Sequence, residues 1–272
     1  MKYMTHNDIR NTWIKFFTKN GHKLFESAPL VPINDDSLLW VNAGVTPLKK
    51  YFDGSETPES RRIVNIQKCI RTNDIDNVGI TKRHQTFFEM MGNFSIGDYF
   101  KNEAIAFAYE ILTSEEYFGI DKDLIYVTVY PTDKDAIARW VQCGLNPEHI
   151  IPLEENFWEI GEGPCGPDSE IFFDRGEEFD PDHDALEKFK NDEDQERYIE
   201  IWNNVFSQYN SKEGVDRKDY QELPNKNIDT GAGLERWCCI FQNVDSNFET
   251  DLFTPIIKHI AELAEASYTG QQ

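Results

Sequence analysis

The stretch Asn227-Ile-Asp-Thr-Gly-Ala-Gly-Leu-Glu-Arg236 constrains this chain more than any other. An acid, two near-adjacent glycines and an arginine lead directly into the apolar run 234–242, which reads as the opening of a buried helix. Glycines at such a junction let a ligand reach the backbone. A helix N-terminus there presents unpaired N–H groups and partial positive charge to an anion. Asp229 can hold a cationic amine, and Arg236 offers a planar, permanently charged face to a nucleotide. An ordinary glycine turn with one salt bridge has the same local pattern, so the decision falls to the rest of the chain.

At 272 residues the chain can bury a sizeable core, and 39% hydrophobic and 13% aromatic content mark it as folded rather than disordered. The formal charge of −22 argues against nonspecific affinity for nucleic acid over the whole surface. That charge is uneven. Residues 154–200 hold 18 acids against 4 bases, whereas 49–83 hold 8 bases against 5 acids, and the basic island is the place to seek an anionic ligand. Five cysteines without a C-x-x-C pair predict a reducing compartment, with neither a disulfide framework nor a zinc ribbon. No leader-like or membrane-length apolar run is present in the sequence, so a cytoplasmic protein with no membrane partner is expected.

Ile9, Trp13, Phe16 and Phe17 recur at helical spacing behind a Thr5 or Asn7 cap. An extended segment over 24–32 follows, then a buried strand over 38–42. Strands are expected at 63–71, 86–91, 124–130, 169–174 and 198–209, and helices at 103–112 and 252–266. The charged insertion 176–195 reads as a mobile surface loop. Strand follows strand with helices at intervals, which predicts an α+β fold: an antiparallel sheet with helices packed on it.

Three motifs are set aside. Gly161-Glu-Gly-Pro-Cys-Gly166 has the G-x-G-x-x-G spacing, but Pro164 and Pro167 interrupt it and a strand follows where a phosphate-binding helix is needed. Asp180, Asp182 and Asp184 resemble a calcium loop, yet Ala185 and Asn191 stand at the glycine and glutamate positions. Asn93-Phe-Ser95 is a glycosylation sequon only in a secreted chain. With no P-loop in the sequence, any ATP here is held another way.

What survives is a strand–loop–strand. Arg71 ends one strand and Arg83-His84 opens the next, so two arginines can grip a phosphate, with Phe87 and Phe88 behind them as an aromatic face for a base. A phenylalanine pair on a strand is more often core, and a strand-end arginine is more often a surface ion partner. The combination with the 227–236 junction nevertheless resembles the class II aminoacyl-tRNA synthetases. The strings 83–100, 156–158, 163–167, 201–206 and 228–236 resemble the alanyl-tRNA synthetases among them, over about residues 9–253.

That resemblance implies a class II catalytic domain over 1–250, with 251–272 opening a helical tRNA-recognition region. It implies that Arg71 contacts the ATP α-phosphate, that Arg83 and Gly233 also bind ATP, and that Phe88 and Arg236 sandwich adenine. Asp229 would bind the α-ammonium of L-alanine, and Trp158, Asn203, Val205 and Gly231 would line the side-chain pocket. Arg71, Asp229 and Arg236 would carry the chemistry, with ATP and Mg²⁺ as co-substrates and tRNA(Ala) as acceptor. Strand alternation independently places Asn203 and Val205 on one face, and puts Glu200 on the other. Departures occur at the short loop 72–79, and at Gln85, Ala232 and Asp168, where family members carry other residues. The expectation is a monomeric catalytic fragment with a weak hold on tRNA. Two alternatives stand beside it: a paralogue that binds nucleotide without aminoacylation, and a ligase for glycine or serine.

Overall fold

The computed structural model describes residues 1–33, 38–73, 75–159, 161–193 and 195–268. In chain order the elements are α1 (His6–Lys19), β1 (Lys23–Phe25), α2 (Lys49–Phe52), β2 (Arg62–Ile70), β3 (Phe87–Ile96), α3 (Lys101–Thr113), β4 (Ile125–Val129) and α4 (Lys134–Cys143). They continue with β5 (Ile150–Pro152), β6 (Phe157–Trp158), β7 (Gly163–Asp174), α5 (Ala185–Lys190), β8 (Tyr198–Ser211), β9 (Gln221–Gly233), α6 (Leu234–Gln242) and α7 (Thr254–Leu263). The strands form one sheet in the order β1-β2-β3-β9-β8-β7-β4-β5, with β6 paired to β7 beside this path. The outer pairs β1–β2 and β4–β5 are parallel, and every pair between them is antiparallel. The expected α+β architecture is the one observed.

Period-two alternation divides the sheet into two faces. One face carries Val64, Met91, Val127, Ile171, Trp202, Phe206, Ile228 and Ala232 into a continuous apolar core. Helices α1, α3, α4 and α6 cover it, bringing Trp13, Phe16, Ile105, Trp140 and Trp237. Trp13 meets Trp202 at 4.6 Å and Trp237 at 5.9 Å, both edge to face, so the first helix is keyed to the sheet and to α6 at once. Thr5 caps α1, its hydroxyl accepting from the Asp8 N–H while the Asp8 carboxylate accepts from the Thr5 N–H. The other face stays open in its middle, and the site lies there.

Three expectations are corrected. Residues 38–42 are not a buried strand: Leu39 is 83% exposed and Trp40 42%, and only Val41 is buried. The parallel strand β1 already occupies the edge of β2, so 38–42 merely crosses the end of that strand, where Val41 accepts the Ile70 N–H. The insertion is not a bare loop either, because α5 buries Ala185 and Phe189 against Tyr126, Phe172 and Tyr198 on the open face. The Asp180 carboxylate, which had hinted at calcium, accepts the Asp184 and Ala185 N–H groups that open α5 and pairs with Arg197. The last helix is shorter than 252–266. Thr269–Gln272, the end of the expected 251–272 unit, lie outside the described residues, as do Asp74 of the 72–79 loop and Asp194 of the insertion.

Candidate active site

Strand β9 delivers the glycine junction. Ile228, Thr230 and Ala232 point into the core, so Asp229, Gly231 and Gly233 point to the open face. Residues directly opposite in antiparallel strands share a face, and here the register pairs Asp229 with Val205 and Val205 with Asp168. The next rung pairs Gly231 with Asn203 and Asn203 with Glu170. Two rungs of strand spacing put these groups within about 10 Å of one another. A Cβ at Gly231 would come within 2.8 Å of the Met90 Sδ, which reaches across from β3, so any larger residue there has to displace the Met90 side chain. Pairing therefore brings Asp229, Gly231, Val205 and Asn203, residues expected to meet the amino acid, onto one surface, and Trp158 lies on β6 opposite Gly166.

The floor of this surface is acidic. Asn203 Nδ2 donates to Asp168 Oδ2 and to Glu170 Oε1, each at 3.2 Å, while Asn156 Nδ2 donates to Asp168 Oδ1 at 2.9 Å. Asn203 Oδ1 is buried without a partner among the described residues. Burial raises the Asp168 carboxyl to about 6. Burial first, then the neighbouring Glu200 and Asp168, raises Glu170 to about 8. Asp229 meets neither a cation nor a hydrogen-bond donor among the described residues, and enclosure of its carboxyl alone raises it to about 7. An enclosed carboxylate without a partner is costly, and a cation would offset that cost.

Arg71, Arg83 and Phe88 lie together at the β2–β3 hairpin. The Arg71 N–H donates to Thr86 O at 2.9 Å and its Nε to Asn42 O at 2.9 Å, and its guanidinium lies 5.2 Å from the centre of the Phe88 ring. Arg71 is exposed and Phe88 half-buried, so both remain open to a ligand. Arg83 lies across the loop, 3.8 Å from Glu196. On α6, Glu235 turns inward, accepting the Glu89 N–H at 3.0 Å, and burial raises its carboxyl to about 8. Arg236 turns outward, and its Nη1 donates to Glu200 Oε2 at 2.8 Å and to Glu200 O at 3.0 Å.

Glu200 is the residue that alternation had put on the wrong face. Glu170 pairs with Asn203 and Ile171 with Trp202, but Phe172 pairs with Glu200, leaving Ile201 as an extra residue in β8. This bulge sends both Ile201 and Trp202 into the core and returns Glu200 to the face of Asn203. The structure thus groups Asp229, Gly231, Val205, Asn203, Asp168 and Glu170, joins Arg71 to Phe88, and links Arg236 through Glu200. The two clefts found, of about 360 and 500 Å³, lie away from this group, although the larger one is lined by Asn227, two residues along the same strand face from Asp229. Among the described residues no three His, Cys, Asp or Glu side chains converge as a metal-ligand set. Mg²⁺ that enters on a triphosphate needs only one or two protein carboxylates, and that requirement the site can meet.

The raised carboxyls fix how stability varies with pH. Asp168, Asp229, Glu170 and Glu235 hold protons in the folded chain at pH values where the unfolded chain has released them, so their contribution to stability falls from about pH 4, where the unfolded carboxyls titrate, up to about 8. His22, lowered to about 4 by burial, works in the opposite sense below 6.5, so the fall is cleanest above that. Thermal unfolding of the ligand-free chain should give a lower midpoint at pH 8.5 than at pH 6.5. A midpoint that rises over this range would contradict the burial of these acids.

Over residues 8–272 the chain matches the tRNA synthetases class II (A) family. It is 58% identical over 268 residues to an alanine–tRNA ligase of Streptococcus thermophilus, covering 98% of this chain and 31% of that one. An alanine–tRNA ligase of Acholeplasma laidlawii is 59% identical with the same coverage. The chain therefore spans 31% of the length of these relatives. A histidyl-tRNA synthetase structure from S. aureus overlays with a TM-score of 0.48 at 10% identity, over 98% of this chain and 79% of that one. No helix among the described residues is long and apolar enough to cross a membrane. With the match running unbroken through α1, the β2–β3 hairpin and the β9–α6 junction, the chain belongs to the tRNA synthetases class II (A).

Proposed function

We propose that this chain activates L-alanine with MgATP to alanyl-adenylate and pyrophosphate, and passes the alanyl group to the 3′ end of tRNA(Ala) in the cytoplasm. One observation carries the reading: the Asp229 carboxyl, without a protein partner among the described residues, faces the same surface as Val205 and Gly231. An α-ammonium would neutralise Asp229, and a methyl group would sit against Val205 with Trp158 and Asn203 at its sides. Residues 1–250 would form the catalytic unit, with 251–272 leading to tRNA-recognising helices.

The substrate carboxylate attacks the α-phosphorus of ATP, the new P–O bond forms as the bond to pyrophosphate breaks, and no side chain needs to be a nucleophile. Arg71 would meet the charge on the α-phosphate, and Arg83 and Gly233 would hold ATP further along. Phe88 and Arg236 would enclose adenine. The hold of Glu200 on an edge of the Arg236 guanidinium supports this, because it fixes the plane while leaving a face for stacking. Mg²⁺ bound with the triphosphate would offset part of its charge. A ribose hydroxyl of the tRNA terminus then attacks the alanyl carbonyl, and AMP leaves.

Alanine-dependent ATP–pyrophosphate exchange by the chain tests this directly. Exchange that saturates with alanine supports it, and calorimetry showing ATP bound without adenylate formed would instead identify a binding paralogue. Glycine and serine belong in the same assay, since one methyl or hydroxyl in such a pocket is worth only about 1–3 kcal/mol.

A further inference from the structure

We infer that Asn247, outside every segment assigned to substrate above, is a positioning residue for ATP. The far limb of the hairpin loop, Lys82 to Gln85, belongs to no strand, and Asn247 holds it from behind. The Asn247 N–H donates to Lys82 O at 3.1 Å. Its Nδ2 donates to Arg83 O and to Gln85 Oε1, each at 3.0 Å. Its Oδ1 accepts from the Cys239 thiol at 3.0 Å, three residues beyond Arg236 on α6. The residue is 3% exposed, so these bonds form away from competing water.

The segment that presents Asn247 is itself preformed. Ser246 and Glu249 make a reciprocal capping box around a single 3₁₀ turn, and the Ser246 hydroxyl also donates to Lys82 O at 3.1 Å. The Thr250 hydroxyl donates to the Asn247 carbonyl at 2.6 Å. One asparagine thus ties the backbone that carries Arg83 to the helix that carries Arg236, the two arginines both expected to bind ATP. Asp229, Val205 and Gly231 belong to β8 and β9 and are joined to none of these bonds. Loosening Asn247 therefore acts on the ATP side and leaves the amino-acid side in place.

This inference rests on the proposed reading of Arg83 and Arg236 as ATP ligands. Asn247→Ala and the milder Ser246→Ala, which removes the hydroxyl's bond to Lys82 O and its half of the capping box but leaves the Asn247 side chain and its bonding groups present, are compared with the unaltered chain in ATP–pyrophosphate exchange. Asn247→Ala should raise the KM for ATP about tenfold and Ser246→Ala about threefold, with the KM for alanine within twofold in both. If Asn247→Ala does not fold, Ser246→Ala alone decides. An equal rise in both KM values, or no change in either, overturns the inference, since a merely structural residue does not separate the two substrates. An unaltered chain without exchange would sink the proposed reaction instead, and calorimetric titration of ATP into the same proteins then decides this point by the same tenfold and threefold weakening. Unchanged ATP affinity, or no ATP binding by the unaltered chain, overturns it.

Discussion

Replacing Asp229 by Asn should raise the KM for alanine about 100-fold while the KM for ATP stays within about threefold. The carboxyl group has no competing protein cation among the described residues, so its whole charge is available to an incoming ammonium. Removing one partner of such an enclosed charge pair costs about 2–5 kcal/mol, which is the basis of the expected factor. The variant keeps the shape of the side chain and removes only its charge, so its melting point should not fall. It should rise above neutral pH, because the native chain no longer has to enclose a carboxylate that titrates near 7. The same titration gives a second signature. The kcat/KM for alanine should climb with pH below about 7 and level off above it, and Asp229→Asn should abolish that climb. Equal losses for alanine and ATP, or an unchanged pH profile, would remove Asp229 from the role of ammonium receptor.

The parts of the fold that were legible in the sequence are those decided locally. The 227–236 stretch announced the opening of a buried helix because glycine placement and the apolar run behind it are chemistry of neighbouring residues, and α6 does begin at Leu234, although the strand leading into it, β9, was not among those expected. The start of α1 was announced for the same reason by Thr5 or Asn7, and Thr5 is the one that caps it. Residues 38–42 misled because a short apolar run has no period of its own to separate a strand from a covering segment, and a different strand occupies the edge. The insertion misled in the opposite sense. Its acids dominated the reading, while Ala185 and Phe189, four apart, were enough to fasten a short helix to the sheet.

Within the site, Asn203 and Val205 were recoverable because no irregularity separates them, and alternation holds between them. Glu200 was not recoverable because its face depends on a bulge, and a bulge is a property of two strands. Only the pairing of β8 with β7 shows that Ile201 is the surplus residue. Asp168 and Glu170 carried a signal that went unused: two acids spaced by two on a strand flanked by apolar residues, which puts both on one face beside whatever the neighbouring strand presents. The acidic count of 154–200 does not by itself separate solvated carboxylates from Asp168 and Glu170, which accept from Asn203 on the open face.

Arg71→Ala should lower kcat for adenylate formation about 10²–10³-fold, the range seen when one donor aimed at developing transition-state charge is removed. The fold should hardly register the change. Arg71 is exposed, and among the described residues its side chain makes one hydrogen bond to Asn42 O and one contact with the Phe88 ring, worth together about 1–2 kcal/mol. For a chain of this size that corresponds to a fall of about 2–8 °C in the melting midpoint. Its backbone pairing with Thr86 survives the substitution, so the hairpin keeps its register. The two measurements separate the roles cleanly. A residue that neutralises the α-phosphate gives a large loss of rate in a folded protein, with alanine affinity retained because Asp229 lies on β9, two strands away from β2. A strand-end arginine that serves only the hairpin gives the reverse: a chain that unfolds much earlier, and that turns over at close to the normal rate in whatever fraction remains folded.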